Sequence, residues 1–254
     1  MTTTDGTQAD WQRLAAQAEE EAARHPLKSE HEAAVREAIE AARRRLGGDS
    51  VESHTVLFEP EKWQQVGDAL PAQCMATGRI SRGDLFAVAA DKNADRAMWR
   101  LFVASKVWGY GPWGYGPSRL AKVERATPEA QMEVLLEGAL EEGLEHGPMA
   151  AYYRLRGDNP GPVAAKHWGS AFFTKALYAG LRDQDHRRPA LILDAVLATK
   201  VTELGGLPYL LIRGKAHHWS HYRYGVYLAW MGQTADRFEV APELLEYSLF
   251  KADL

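Results

Sequence analysis

Two charged residues stand where apolar neighbours make charge expensive. Lys175 lies between Ala171-Phe-Phe-Thr174 and Ala176-Leu-Tyr178, and Asp194 interrupts the run Ala190-Leu-Ile-Leu-Asp-Ala-Val-Leu-Ala198. A lysine held in such surroundings gives up its proton more readily, and the neutral amine is a nucleophile. A carboxylate in an apolar run is costly unless it finds partners. Both residues also have a purely structural reading. Asp194 can cap a helix running from Ala195 to about Leu204 by accepting orphan backbone N–H bonds. Lys175 can lay its stem along apolar surface and put its head in water.

The elements that must position this pair are helical. A pattern over 163–182 carries the lysine, the basic turn Arg187-Arg188-Pro189 follows, and a second helix starts at the aspartate. Upstream, 9–24 and 28–46 read as amphipathic helices. Val35, Ile39, Ala42 and Leu46 form one stripe of the second helix. His25-Pro26 separates the two helices, because proline disfavours helix in the residue before it, and Gly47-Gly48 stops the second. Shorter helical patterns occupy 60–68, 80–92 and 94–107, and Pro128 opens a helix to about 146. Trp219, Tyr222, Val226, Tyr227 and Trp230 give an aromatic-faced helix, and a last one starts near Pro242. Strand-like segments are limited to Thr55–Phe58 and Tyr209–Ile212, so the expected class is all-α.

Between 94–107 and Pro128 lies a tandem pentapeptide, Trp108-Gly-Tyr-Gly-Pro112 and Trp113-Gly-Tyr-Gly-Pro117. Its glycines and prolines predict turns rather than helix. Trp113 and Tyr115 are candidates to stack on bases, as aromatics do with unpaired nucleotides. A rigid aromatic turn sealing the core is the alternative.

Composition narrows the function. The chain has 254 residues, 46% hydrophobic and 25% charged, as expected of a globular protein. Its net charge of −4 argues against indiscriminate nucleic-acid binding, yet residues 166–223 carry nine Lys/Arg against four acids. A positive segment in an acidic chain suggests a local anion site, or a solvated basic surface. The single Cys74 makes no internal disulfide. No apolar run long enough to span a bilayer occurs, and the first residues lack the order of a signal peptide, which predicts a cytoplasmic protein without membrane contact. His217 and His221 are spaced to share a helix face, but no carboxylate or cysteine follows at ligand spacing, so neither metal nor cofactor is expected. A phosphate-cradling glycine loop, a Cys-x-x-Cys pair and a serine nucleophile elbow are all missing, which leaves nucleotide hydrolysis and zinc-finger readings without support.

Phe173-Thr-Lys-Ala-Leu-Tyr178 and Pro189-Ala-Leu-Ile-Leu-Asp-Ala-Val196, with Lys175 and Asp194 19 positions apart, resemble the helix-hairpin-helix DNA glycosylases of the 8-oxoguanine type. The chain as a whole is similar to a bacterial group of that type, including the aromatic-glycine segment 108–117. The resemblance is strongest over 163–200, extends over about 80–254, and is absent from the first 50 residues. It implies a two-lobed helical bundle with an N-terminal helical hairpin extension, divided as residues 1–50 and 51–254. It also implies that Lys175 and Asp194 excise a damaged or modified base from DNA, with a Schiff base that permits strand nicking. Arg187, Arg188, Arg213 and Lys215 would then meet phosphates. A non-catalytic DNA- or protein-binding module on the same fold is the alternative. Two departures are evident. Ala171, Phe172 and Phe173 occupy places where the family carries glycines, with Gly169 the nearest, and Val196 stands where a histidine is often found.

Overall fold

The computed structural model describes residues 8–156, 165–182, 188–207, 210–212, 215–216 and 219–253, with backbone alone at 212, 215 and 216. The fold is all-α. Its helices are α1 (Gln8–Ala23), α2 (Glu32–Leu46), α3 (Ala72–Thr77), α4 (Arg82–Ala90), α5 (Ala97–Tyr110) and α6 (Gly116–Ala126). They continue as α7 (Glu129–His146), α8 (Pro148–Arg156), α9 (Ser170–Gly180), α10 (Ala195–Gly205), α11 (His221–Phe238) and α12 (Pro242–Lys251). Two short antiparallel ribbons complete it. β1 (Thr55–Leu57) pairs with β2 (Arg79–Ser81), and β3 (Leu211–Ile212) pairs with β4 (Lys215–Ala216). Where a helix is expected at 60–68, residues 60–69 form 3-10 turns with a kink at Val66.

α5 is the centre of the packing. Trp99, Leu101, Phe102, Val103, Ala104, Val107 and Trp108 are all buried, so this helix is apolar on every side and needs neighbours on every side. α4, α7 and α9 supply them. α4 is fixed at its start by a capping box in which Ser81 and Asp84 satisfy each other's backbone N–H. The N-terminal helices lie on the body, α1 along α11 and α2 along α12. Polar ties reinforce this docking. Trp230 Nε1 donates to the His25 carbonyl at 2.8 Å, and Lys28 Nζ donates to the Glu203 carbonyl at 2.8 Å.

The tandem pentapeptide differs from expectation. α5 continues through Trp108, Gly109 and Tyr110, and Gly116-Pro117 opens α6, so only the stretch between them is turn. Burial of Trp108 and Tyr110 on α5 outweighs the glycine penalty there, and proline is tolerated in the first turn of α6. Helices α6 and α8 fall outside the patterns read from the sequence, although α6 is amphipathic, with Leu120 and Val123 on its buried side. α9 is shorter than the pattern over 163–182 suggests, because it starts only at Ser170.

Candidate active site

Lys175 sits in the second turn of α9 and is 7% exposed. Its stem fits against α5 because residue 109 is glycine: a Cβ there would lie 3.0 Å from Lys175 Cδ and 3.1 Å from Phe172 Cε1. Gly109 is thus a close-approach glycine inside a helix, the use that offsets its cost. The Lys175 amine donates to the Ala171 carbonyl one turn back and lies 5.3 Å from the centre of the Phe172 ring. Burial pushes its proton affinity below the ordinary lysine value. The nearby Arg82 charge acts in the same direction, while Asp194 and Glu246 oppose it.

Asp194 caps α10. Its backbone is extended and its Oδ1 accepts from Leu197 N–H at 3.0 Å, as the structural reading of the sequence anticipates. That role leaves the second carboxylate oxygen available. Among the described residues no ion pair joins Asp194 to Lys175; the two act on each other through space.

The segment leading into Asp194 is held by side chains rather than by secondary structure. Leu191 N–H donates to Tyr224 Oη and its carbonyl accepts from the same hydroxyl, at 3.3 and 2.8 Å. The Ile192 carbonyl accepts from Tyr227 Oη at 2.6 Å, and Ile192 N–H donates to Glu246 Oε2 at 3.2 Å. Leu193 N–H donates to Thr174 Oγ1 at 3.3 Å. Thr174 precedes Lys175 and Leu193 precedes Asp194, so one hydrogen bond registers the two candidate residues against each other. A buried backbone N–H left unpaired would be costly, which makes these bonds firm constraints.

Behind this junction lies a buried cation. Arg82 is enclosed, and its Nη2 meets Glu246 Oε1 at 2.8 Å, its Nη1 donates to Tyr178 Oη at 3.1 Å, and its Nε donates to His54 Nδ1 at 3.3 Å. Trp108, Tyr178 and Tyr247 put their rings around the guanidinium. Burial works against its charge, but Glu246 and Tyr178 more than offset this and hold Arg82 protonated. Burial and the Arg82 charge push the His54 imidazole down to about 3, so it stays neutral and accepts. Arg82 ties α4 to α12 and, through Tyr178, to α9.

A cleft of about 720 Å³ is lined by Gly109 and Tyr110 of α5, Trp113, Tyr115 and Arg119, His167 and Gly169, Ser170 to Phe172 of α9, Ala195 of α10, and Trp219. Lys175 and Asp194 are not themselves wall residues of this cleft, but each adjoins one. Ala171, whose carbonyl accepts from Lys175, is a wall residue, as is Ala195 beside Asp194. Trp113 and Tyr115 are 65% and 54% exposed at the cleft's edge. Gly169 is the N-cap of α9 and has open space beside it, so the one glycine near the family's hairpin position lies at the helix start.

Arg188 is occupied by Glu19 at 2.7 Å and Asp236 at 3.0 Å and lines a separate concavity beside α1. Arg187 and Arg213 lie outside the described residues, and Lys215 is described only as backbone paired with Ile212. Arg119 is the cation on the cleft wall; His167 beside it is pushed below the ordinary histidine value by burial and by Lys122, Lys166 and Arg119. No pattern in the sequence marked Arg119. His217 and His218 also lie outside the described residues, and among the described residues no three metal-ligating side chains cluster. No described helix is long and apolar enough to cross a membrane.

Lys106 carries the same signal as Lys175, since Val103-Ala-Ser-Lys-Val-Trp108 is equally apolar. It is fully buried on α5 with no hydrogen-bond partner for its amine. Its amine lies 4.6 Å from the Phe172 ring centre, and also near the rings of Phe102 and Tyr110.

No curated protein and no solved structure matches the chain. One family model does, over residues 49–250, described as "Putative 8-oxoguanine DNA glycosylase OGG-like protein". The match spans α9, α10 and the whole cleft, and the chain belongs to this OGG-like family.

Proposed function

We propose that the protein excises a damaged or modified base from DNA, with Lys175 as the nucleophile and Asp194 as the electrostatic partner. The observation that carries this reading is the buried amine of Lys175. Burial lowers its proton affinity, its amine donates to the wall residue Ala171, and it is registered against Asp194 through Thr174 and Leu193. The cleft volume falls within roughly 300–1,000 Å³, the range of small-molecule sites, so an extruded nucleoside is a reasonable occupant.

The chemistry follows from the groups present. Neutral Nζ attacks C1′, and the glycosidic bond breaks with its electron pair leaving on the base, which takes up a proton. Asp194 stabilises the positive charge that develops on the sugar. The new ammonium loses a proton, and opening of the sugar ring then gives a protonated Schiff base. Elimination from that species would nick the strand. Arg119, with Lys122 and Lys166 acting near His167, would neutralise phosphates at the cleft mouth, His167 would donate a hydrogen bond to one, and Arg187, Arg213 and Lys215 would extend that contact. Binding would weaken as salt rises. Trp113 and Tyr115 would stack on bases flanking the extruded nucleotide.

Borohydride trapping on oligonucleotides carrying 8-oxoguanine or an abasic site tests the reading. A covalent adduct that disappears in Lys175→Ala is expected. Its rate should rise with pH and level off below 10.5, the ordinary lysine value, because only the neutral amine attacks. Salt-sensitive binding with no adduct would instead indicate a binding module.

A further inference from the structure

We propose that Lys106 and Lys175 form a coupled amine pair over the face of Phe172, with Lys106 acting through Lys175 as a positioning residue that sets when the nucleophile is unprotonated. As a statement about catalysis, this rests on the reading of Lys175 as nucleophile. The geometry comes from three elements. Lys106 rises from α5 and Lys175 from α9, and their amines lie 4.6 and 5.3 Å from the centre of the same Phe172 ring. Gly109, one turn after Lys106 on α5, gives the Lys175 stem its place. Phe172, Tyr110 and Gly109 are all wall residues of the cleft, so the two amines share one dry layer beneath its surface.

Lys106 has no structural employment that explains it. Its amine is fully buried without a hydrogen bond, whereas a buried ammonium is normally paired. Among the described residues, the charged groups that act on it are Lys175 from α9 and Arg119 from α6, both positive, and no carboxylate opposes them. Burial first, then those two cations, bring Lys106 down to about 7. Lys175 is lowered too, by burial first and by Arg82, with Asp194 and Glu246 opposing. Like charges repel, so protonation of either amine disfavours protonation of the other. The titration belongs to the pair rather than to either residue. A second amine beside a nucleophilic lysine is a recognised way to lower its proton affinity.

Two readouts separate this proposal from the reading it rests on. The first follows lysine side-chain NMR titrations in the full-length protein, which require no activity. In Lys175→Met the midpoint of Lys106 should rise by at least about half a unit, a threefold gain in proton affinity. In Lys106→Met the Lys175 curve should lose its low-pH component. Unchanged titrations in both variants overturn the pair. The second is the pH profile of borohydride trapping. Lys106→Met should be about tenfold slower than wild type at pH 6, with the deficit shrinking as pH rises, because each unit of interaction is a factor of ten. A wild type that forms no adduct while the titrations remain coupled would remove the glycosylase reading and leave the pair standing. A pH profile in Lys106→Met that parallels wild type would show Lys106 to be structural alone.

Discussion

The protein buries cations in two neighbouring places and treats them in opposite ways. Arg82 is surrounded by Glu246, Tyr178 and His54, with aromatic faces completing its shell. Its charge is fully answered, and it fastens α4, α9 and α12 together. Lys106 and Lys175 are answered poorly: among the described residues Lys106 has no hydrogen-bond partner and Lys175 has only the carbonyl of its own helix. A satisfied buried charge holds a fold together, whereas an unsatisfied one is driven to give up its proton. The first region is scaffold for the second. Glu246 makes the connection directly, since one oxygen pairs with Arg82 and the other fixes Ile192, two residues before Asp194.

The comparison can be broken most severely at Glu246. Glu246→Leu leaves Arg82 buried without its counter-ion and should cost about 3–5 kcal/mol, measured by urea denaturation. Combining it with Arg82→Met should recover much of the loss. Recovery would confirm that the cost comes from the orphaned charge. Asp194→Asn separates capping from chemistry. Asparagine caps a helix as well as aspartate does, so stability should hold within about 0.5 kcal/mol while adduct formation falls about a hundredfold. An equal fall in both would make Asp194 a cap only.

Lys106→Met should stabilise the fold, by about 2 kcal/mol at pH 6, because an unpaired buried amine is replaced by an apolar side chain. The sign with pH follows from linkage. Lys106 titrates near 7 in the folded protein and at 10.5 ordinarily, so between those values the unfolded chain binds more protons. Wild-type stability therefore rises across that window, and the advantage of the variant should shrink from pH 7 toward pH 10. Thermal melts of both proteins across this range provide the check. Gly109→Ala should also change stability little. Better helix propensity offsets the contacts at 3.0 and 3.1 Å, so the change should stay within about 1 kcal/mol. Displacing the Lys175 stem should nevertheless slow trapping about tenfold.

What the sequence disclosed follows the range of the interactions concerned. Lys175 and Asp194 stood out because a charge in an apolar run is a local anomaly, and the cap on α10 could be read from Asp194 onward. The same anomaly marks Lys106, although its meaning depends on α9 arriving beside α5. The Arg82–Glu246 pair joins residues 164 positions apart, and no local pattern announces such a partner. The tandem Trp-Gly-Tyr-Gly-Pro shows the reverse: composition argued for turns throughout, while burial of Trp108 and Tyr110 carried α5 to its end. Arg119 lies on the polar side of the amphipathic α6, and only the fold shows that this side meets the cleft. Arg188 lay in an obviously basic segment, yet Glu19 of α1, far away in the chain, claims it.

The most direct test of the account locates the covalent bond itself. The borohydride-reduced protein–DNA complex should be digested with protease and nuclease and its cross-linked peptide sequenced by mass spectrometry. The account predicts a deoxyribose remnant on the ε-nitrogen of Lys175. A remnant on Lys106, on the amino terminus or on any other lysine would contradict it.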